Sequence, residues 1–459
     1  MNLGGVRLRG SAAAYVLLED AAILTVLVGA FAFAHFGRVE GLVTLSGLAQ
    51  LLALLLMVKG TFFVCGLYDF RLLTARSEFW TKLTAGAVLA AALVWATWVG
   101  AAGEGIAAAV FVVAFPPIIA LLRVLHEWVS RSPRMRHRLL FLGAGPPARR
   151  TAREILDSRS REFELVGFLG ESEEERGWRI GGRPVLGVMS ELEQVVREHQ
   201  VDRIVVAVQD RRVGMPLEAL LRLRISGVEV VEEPRVHEEI AGKIPVEDLR
   251  PSWLIFSDGF SQGRVRDLTK RMFDVTIAVI GLVLSAPIAL AVALAVRLES
   301  PGPILFRQTR VGAAGREFTI FKFRSMREDA EAAGKPQWAA KNDSRVTRIG
   351  GFLRQSRLDE IPQMWNVLQG TMSFVGPRPE RPFFVDQLRE TIPFYDQRHA
   401  VKPGITGWAQ VRFRYGSDES DQTEKLRYDM YYIKHYSVLF DLRILFETVR
   451  VVFQKNMGR

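Results

Sequence analysis

The hydrophobic positions of this chain are concentrated in its first 130 residues and in one later block. Four apolar runs near the N-terminus, at 15–36, 43–68, 83–102 and 106–125, are each about 20 residues long, which is enough to span a bilayer. We therefore predict a four-helix transmembrane region over residues 1–130.

The charges around these runs predict their orientation. Arginine and lysine are frequent before the first run, between the second and third runs, and after the fourth. The connections at 37–42 and 103–105 are short and poor in both residues. By the positive-inside rule, both ends of the bundle face the cytoplasm.

The net charge and the cysteine content of the chain indicate which partners and which chemistry to expect. The formal net charge of +10 suits an anionic membrane surface or an anionic ligand, although basic flanks that only orient the helices would give the same balance. We expect no nucleic-acid partner. The single cysteine, Cys65, cannot form an intramolecular disulfide or a thiolate metal cluster. No small-residue cleavage site follows the first apolar run, so we expect that run to be retained.

Short apolar runs alternate with helical patterns between about residues 138 and 250, which predicts a Rossmann-like α/β domain over 131–262. In the first of these runs Gly143, Gly145 and Ala148 fit the G-x-G-x-x-G/A turn of dinucleotide-binding units. These glycines either bind a nucleotide or only form a tight turn, and both interpretations stay open. No tyrosine occurs between Arg138 and Arg250, which excludes the Tyr-x-x-x-Lys pair of sugar-nucleotide dehydratases and epimerases.

A fifth apolar block, residues 273–296, is long enough to cross a membrane. Both of its flanks are basic, so the charge rule favours neither direction of crossing. Pro287 lies near its middle, where it removes one backbone hydrogen bond and bends a helix, and Ser285 could satisfy a freed backbone group. We predict a re-entrant helix that enters and leaves on one face. A kinked span, which would place the rest of the chain outside the cytoplasm, is the alternative.

Candidate chemistry appears after residue 298, where arginine, glycine and proline surround short apolar pieces. Arg354, Arg378 and Arg381 lie near the adjacent carboxylates Asp359 and Glu360. Guanidinium groups match phosphate oxygens two at a time, so the cluster predicts a polyphosphate ligand, with an exposed basic face beside a membrane as the alternative. One carboxylate could attack phosphorus while its neighbour holds Mg²⁺. An Asp-Glu pair alone is common on solvated surfaces and acquires meaning only from such a context.

From about residue 270 onward the chain resembles the bacterial sugar transferases, the monotopic phosphoglycosyl transferases that act on polyprenyl phosphate. The resemblance lies in KRMFDV (270–275), SPGPILFRQTRVG (300–312), FTIFKFRSM (318–326), LRQSRLDEIPQMWNVLQGTMSFVGPRPE (353–380) and KPGITGWAQV (402–411). The apolar runs and the α/β region in front resemble the large subgroup that initiates exopolysaccharide or O-antigen synthesis, and the whole is similar to its exosortase-associated branch. We therefore expect a catalytic domain over 263–459.

This resemblance implies a two-step reaction. Asp359 would attack the β-phosphate of a UDP-sugar and release UMP, and the phosphosugar would then pass to undecaprenyl phosphate. Glu360 matches the acid that binds Mg²⁺, and Arg354 matches a basic residue near the phosphates. The identity of the sugar is not encoded in any motif of the chain.

The resemblance also concerns the membrane helix. Lys270 and Arg271 match the basic anchor at the start of the re-entrant helix. The family commonly has serine directly before the helix-breaking proline, whereas here Ala286 separates Ser285 from Pro287, which weakens the capping role of Ser285.

Together these patterns predict a membrane α-helical bundle, a Rossmann-like α/β domain and a monotopic mixed α/β catalytic domain with a re-entrant helix at 273–296. We expect a multi-pass protein of the bacterial inner membrane, with its catalytic domain on the cytoplasmic face and a homodimer as its plausible assembly. The alternative function is a non-catalytic membrane protein that senses a nucleotide or acts as a scaffold in polysaccharide assembly.

Overall fold

The structure is a computed structural model. It describes residues 137–157, 163–208, 214–248, 251–257, 259–260, 263–327, 345–413 and 419–453, together with the helix Leu45–Val64 and a few other positions before residue 137. The predicted runs at 15–36, 83–102 and 106–125 lie almost entirely outside the described residues, so the four-helix bundle stays a prediction. The chain divides into two compact units, chiefly Arg7–Val236 and His237–Arg459.

The first unit contains a helix from the second apolar run and an α/β domain. The helix has 20 residues, about 30 Å at 1.5 Å per residue. The elements of the first unit, in chain order, are α1 (Leu45–Val64), β1 (His137–Leu142), α2 (Pro146–Asp157), β2 (Phe163–Gly170), β3 (Arg179–Ile180), β4 (Arg183–Val188), α3 (Leu192–Glu198), β5 (Arg203–Val206), α4 (Leu217–Ile225), β6 (Glu229–Glu232) and α5 (Glu233–Ala241). The division between the two units falls within α5.

The sheet of the α/β domain has the order β3-β4-β2-β1-β5-β6 and is parallel except for the short edge strand β3. Its central strands are apolar and buried, as strands with helices on both faces should be. The chain order changes direction between β1 and β5, which is where open α/β sheets place their ligand crevices. The predicted parallel α/β architecture is thus confirmed.

The second unit is a mixed α/β structure whose core lies around the strand pair Ser373–Val375 and Gly404–Thr406. Its elements are α6 (Pro251–Phe256), α7 (Arg264–Glu299), the antiparallel strands β7 (Leu305–Val311) and β8 (Glu317–Phe323), α8 (Arg348–Ser356), α9 (Gln363–Gln369), β9 (Ser373–Val375), α10 (Pro382–Thr391), β10 (Gly404–Thr406), α11 (Trp408–Arg412), α12 (Glu419–His435) and α13 (Val438–Phe453).

Helix α7 contains the predicted fifth apolar block. Its 36 residues, about 54 Å at 1.5 Å per residue, are assigned as one helix with Pro287 inside it. Among the described residues, it is the one helix long and apolar enough to cross a membrane. Near its start Asp274 accepts hydrogen bonds from Ser373 and from the Phe374 amide. The re-entrant path stays a prediction.

The far end of α7 packs on the same unit as its start. Val292 and Val296 are buried against Phe323 of β8 and Leu353 of α8. Residues near both ends of the apolar block therefore contact one compact body of protein.

The residues that precede α7 also pack into the second unit, although the predicted α/β domain of 131–262 included them. Ile244 and Val246 are fully buried in its core. The Ile244 amide donates to the carbonyl of Arg427, and the Trp408 indole donates to the carbonyl of Gly242. The compact unit therefore begins at His237, while the predicted domain boundary lies at 262/263.

Candidate active site

Asp359 and Glu360 lie on a single 3₁₀ turn, Leu358–Glu360, between α8 and α9. Helix α8 ends at Ser356, and the backbone of the next residue, Arg357, is left-handed with φ 59° and ψ 13°. This conformation is uncommon for a residue other than glycine and is often found at functional sites. Asp359 and Glu360 are only 6% and 8% exposed. The adjacent carboxylates are thus buried, contrary to what an ordinary solvated Asp-Glu pair would show.

Three cationic side chains meet one oxygen of Glu360. The Lys322 Nζ atom lies 3.2 Å from Glu360 Oε1, a guanidinium nitrogen of Arg378 also lies 3.2 Å away, and one of Arg357 lies 3.3 Å away. These residues come from β8, from the loop after β9 and from the end of α8. Burial alone would raise the pKa of Glu360, but these three positive charges outweigh it and hold that pKa well below its ordinary value.

For Asp359 the effect of burial outweighs that of the cations, so its pKa is shifted in the opposite direction. Burial and the neighbouring Glu360 charge raise the pKa of Asp359, against the opposing effects of Lys322, Arg357 and Arg378. Burial also lowers the pKa of Lys322, although Glu360 opposes this. Two adjacent carboxyl groups with pKa values displaced in opposite directions can take different chemical roles.

Asp359 keeps one oxygen available. Its Oδ1 atom is buried and has no hydrogen-bond partner within the described part of the chain. Such an atom suits a nucleophile or a ligand of a hard cation. No group of three or more potential metal-binding side chains occurs among the described residues. Mg²⁺ commonly binds through one or two carboxylates plus substrate phosphates, so the pair fits that mode of binding.

The turn is held in place by Asn366 of α9, whose side chain is completely buried. Its Oδ1 accepts from the Phe321 amide at 3.1 Å, and its Nδ2 donates to the Thr319 carbonyl at 2.7 Å. Both partners lie on β8, the strand that carries Lys322. Asn366 thus fixes the helix after the Asp-Glu turn against the strand that supplies the lysine.

The loop that carries Arg378 is fixed from two sides. Arg310 of β7 donates to the carbonyl of Pro379 at 3.0 Å, and the Val311 amide donates to that of Glu380. At the start of the loop, a Cβ atom at Gly376 would collide with the carbonyl oxygen of Lys402. The loop can therefore pass this close only because residue 376 is glycine.

Comparison with known proteins matches two families to separate parts of the chain. A family model described as bacterial sugar transferase matches residues 265–455, and one described as CoA-binding domain matches residues 74–231. The exopolysaccharide production protein PSS of Rhizobium leguminosarum bv. phaseoli is 44% identical over 195 residues, which cover 41% of this chain and 97% of that protein. The chain belongs to the bacterial sugar transferase family.

Two further relatives match this chain. A UDP-N-acetylgalactosamine-undecaprenyl-phosphate N-acetylgalactosaminephosphotransferase of Aeromonas hydrophila is 39% identical over 276 residues, 60% of this chain and 62% of the relative. A UDP-glucose:undecaprenyl-phosphate glucose-1-phosphate transferase of Escherichia coli is 47% identical over 187 residues, 40% of each. The chain spans between 58% and 65% of the length of the first curated relatives that it matches. The predicted resemblance is confirmed.

The sugar transferase unit, His237–Arg459, brings some of the predicted site residues together and places others around them. Arg378 contacts Glu360 directly. Arg354 donates from Nε to Ser325 Oγ at 3.0 Å, and Arg381 is the N-cap residue of α10. Phosphate binding by these three arginines stays a prediction.

The two basic residues at the start of α7 bind protein groups of the sugar transferase unit. The buried Lys270 Nζ lies 3.1 Å from Asp274 and 2.6 Å from Asp441. Arg271 donates to the carbonyls of Val367 and Leu368, at the end of α9. They anchor the helix to its own domain, and a direct role at the membrane stays a prediction.

Near the middle of α7 the predicted capping contact does not form. The Ser285 Oγ atom is buried and has no hydrogen-bond partner within the described residues. Pro287 nevertheless lies inside the helix, as the sequence indicated. The freed carbonyl group near Pro287 is therefore not satisfied by Ser285.

In the α/β domain, Gly143 and Gly145 lie where β1 turns into α2. Gly143 has a φ of +105°, and its amide donates to the carbonyl of Leu169. Helix α2 begins with Pro146 and Pro147, which have no backbone N–H. Phosphate binding at a helix start depends on those N–H groups, so this turn has fewer donors for a pyrophosphate than its glycine spacing suggests.

Two members of the site were not identified from the sequence. Lys322 lies in the apolar strand EFTIFKF, and Arg357 lies two residues before Asp359. The signal that could have identified Lys322 is a lone lysine between two phenylalanines of a strand, within a motif that the family shares. Its ion pair with Glu360 depends on the packing of β8 against the turn, which no local pattern encodes.

Proposed function

We propose that this protein transfers a sugar 1-phosphate from a UDP-sugar to undecaprenyl phosphate and releases UMP. The observation that carries the proposal is the buried pair on the 3₁₀ turn. Glu360 is surrounded by Lys322, Arg357 and Arg378, while Asp359 has an unpartnered buried oxygen. A cluster of fixed cations next to a nucleophile suits phosphoryl transfer, because charge develops on the phosphate oxygens.

In the first step, a carboxylate oxygen of Asp359 attacks the β-phosphorus of the UDP-sugar. The bond between this phosphorus and the oxygen that bridges to the α-phosphorus breaks, and UMP leaves with that electron pair. The phosphosugar is then held on Asp359 as an acyl phosphate. In the second step, a phosphate oxygen of undecaprenyl phosphate attacks the same phosphorus, frees the Asp359 carboxylate and gives the diphosphate-linked sugar.

Mg²⁺ is part of the proposal. Glu360 is the residue that would hold it, together with oxygens of the substrate diphosphate. The ion would supply positive charge against the phosphate oxygens. Lys322 and Arg378 would supply the remaining charge, and Arg354 and Arg381 would meet the phosphates from the adjoining α8 and α10.

We place the site on the cytoplasmic face of the bacterial inner membrane, next to a re-entrant α7. The packing of both Asp274 and Val296 on one compact unit supports this path. In a straight span, the protein that covers the two ends of the apolar block would have to lie on opposite faces of a hydrocarbon layer of about 30 Å. The four-helix membrane region and a homodimer are further parts of this proposal.

Three relatives support the substrate class and the pathway. Two of them are named for the transfer of a sugar phosphate from UDP-N-acetylgalactosamine or UDP-glucose to undecaprenyl phosphate. The third is named for exopolysaccharide production. We infer a UDP-sugar as the donor and the first step of exopolysaccharide or O-antigen synthesis as the role. A non-catalytic sensor or scaffold would not need the charges assembled at Glu360, so we give it second place.

The test is release of UMP by the purified full-length protein in detergent with undecaprenyl phosphate, Mg²⁺ and a panel of UDP-sugars. We expect release with at least one donor. In the absence of the lipid acceptor, mass spectrometry should find one phosphosugar on the peptide that contains Asp359. Absence of UMP with every donor would refute the enzymatic proposal, while turnover without a covalent adduct in rapidly quenched samples would refute the aspartyl intermediate alone.

A further inference from the structure

A buried arginine outside the Asp-Glu turn contacts the loop of the site. Arg398 lies on a 3₁₀ turn, Tyr395–Ala400, and is 5% exposed. One guanidinium nitrogen lies 2.9 Å from Asp429 and donates to the backbone carbonyl of Arg378 at 3.0 Å. Another donates to the Tyr395 hydroxyl at 2.5 Å. The guanidinium of Arg398 thus contacts three groups: the Asp429 carboxylate, the Arg378 carbonyl and the Tyr395 hydroxyl.

The position of its backbone partner is what makes Arg398 important. The carbonyl that Arg398 binds belongs to Arg378, and the side chain of Arg378 lies 3.2 Å from Glu360. A shift of that backbone would move the guanidinium away from the carboxylate. On its other side the loop is held by Arg310 through the next carbonyl, that of Pro379.

The cost of burying Arg398 indicates how firmly it is held. A buried guanidinium requires a counter-ion and several acceptors. Asp429, 2% exposed, supplies the charge from α12, and Tyr395 supplies a hydroxyl oxygen. A planar group with this fixed fork of donors can be oriented more narrowly than an ammonium group. Asp429 and Tyr395 therefore orient the guanidinium so that it donates to the carbonyl of Arg378.

We propose that Arg398, oriented by Asp429, is a positioning residue that holds the backbone of Arg378 so that its guanidinium meets Glu360 and the substrate phosphates. The proposal rests on the proposed function, because it assigns Arg398 to that same site. The competing explanation is that Arg398 only ties α12 to the rest of the sugar transferase unit. The two explanations differ in whether the effect of Arg398 passes through Arg378.

A double-mutant cycle in the full-length protein separates them. R398K keeps the charge facing Asp429 but loses the fixed fork, so we expect kcat/KM to fall about tenfold. R378Q should cost about a hundredfold, because it removes a phosphate-facing cation. If Arg398 acts through Arg378, the double variant will be no worse than R378Q within about twofold.

The control is E238Q, which changes another buried ion pair of the same unit. Glu238 pairs with Lys434 and His435 and has no part in the loop of Arg378. Its effect on kcat/KM should multiply with that of R378Q. A second readout does not need turnover: hydrogen exchange in the 373–381 peptide should rise in R398K and stay unchanged in E238Q. If R398K does not fold, D429N takes its place. We then expect a smaller fall in kcat/KM and a smaller rise in hydrogen exchange of the 373–381 peptide.

The outcomes are distinct. Losses that multiply in the R398K and R378Q cycle, or unchanged exchange in the 373–381 peptide, would overturn the proposal and leave Arg398 as a brace of the fold. If the parent protein releases no UMP from any UDP-sugar, the proposed function fails, and hydrogen exchange alone then decides the role of Arg398.

Discussion

The two sequence motifs of this chain that suggested ligands lie at comparable places, and their surroundings differ. Gly143 and Gly145 mark a turn that leads into α2, and Asp359 and Glu360 occupy a turn that leads into α9. Around Glu360, cations from three separate segments come within 3.3 Å. At the glycine turn the helix begins with two prolines, which removes backbone donors.

A short motif acquires a function from the side chains that surround it. A dipeptide or a glycine spacing only sets the path of the backbone, and the chemistry depends on which distant side chains the fold brings to it. Charged side chains surround the Asp-Glu turn, and burying such charges costs free energy. A functional role explains why they are retained there. We therefore expect substitutions at this turn to abolish turnover and substitutions at the glycine turn to leave it nearly unchanged.

The largest effect should follow from D359N. The amide keeps the size of the side chain but is not a nucleophile, so we expect turnover to fall by at least about 10³-fold without loss of folding. The measurement is UMP release, with thermal unfolding as the check on structure. The matched control is D386N, an exposed aspartate of α10 in the same unit. Activity of D359N within tenfold of the parent would exclude Asp359 as the nucleophile.

The next effect concerns Lys322, which the sequence analysis did not select. K322M should lower turnover by about 10²-fold, because it removes a partly buried cation that lies 3.2 Å from Glu360. Burial raises the pKa of Asp359, and the positive charge of Lys322 lowers it. Loss of the lysine should therefore raise the pKa of Asp359 further. The carboxylate is the attacking form, so activity falls as pH drops through its pKa. The acid limb of the pH profile should therefore move to higher pH in K322M.

The control for this pH profile is K243M, which breaks the ion pair of Lys243 with Glu424 in the same unit. The acid limb of the pH profile of K243M should lie at the same pH as that of the parent protein. A K322M limb that moves to lower pH would contradict the electrostatic role of Lys322.

Much of this architecture follows from patterns that are local in the chain. The buried strands β1 and β5 are continuous apolar runs, and α7 is an apolar run with basic flanks, so both were predictable. The role of Asp359 came from family resemblance, because an isolated Asp-Glu pair carries little information. Lys322 and Arg398 could not be assigned, since their importance arises from contacts with residues 38 and 20 positions away.

The domain boundary shows the same limit. The hydrophobic pattern of the segment from His237 to Phe260 does not by itself reveal that Ile244 and Val246 fill the core of the sugar transferase unit. Its partners lie on α11 and α12, far along the chain. Tertiary contacts of this kind have no local signal.

An intermediate effect should follow from removing the α/β domain at two different points. A fragment that begins at Glu233 keeps α5 and the buried Ile244 and Val246, whereas one that begins at Gly263 loses them. Each of these side chains contributes roughly 1.5–3 kcal/mol by burial, so we expect the shorter fragment to unfold roughly 10 °C lower. Thermal unfolding in detergent measures this. The longer fragment should release UMP within about threefold of the full chain, because every member of the Glu360 cluster is retained.

Equal thermal stability of the two fragments would show that the segment before α7 contributes nothing to the sugar transferase unit. An inactive but folded longer fragment would show that the α/β domain takes part in the reaction, and the contrast between the two turns would then fail.

The smallest effect concerns the glycine turn itself. A Cβ atom at Gly145 would meet nothing closer than the Pro147 ring at 3.9 Å, so G145A should change stability by no more than about 0.5 kcal/mol. At Gly143 the φ of +105° and the Ala207 carbonyl oxygen at 3.1 Å make alanine strained, at a cost of about 1–3 kcal/mol. Thermal unfolding should rank the two variants in that order. UMP release should stay within about twofold of the parent in both, because the glycines belong to the α/β domain and every member of the cluster around Glu360 belongs to the sugar transferase unit. If G145A keeps its stability and loses activity, the turn holds a ligand that the reaction requires.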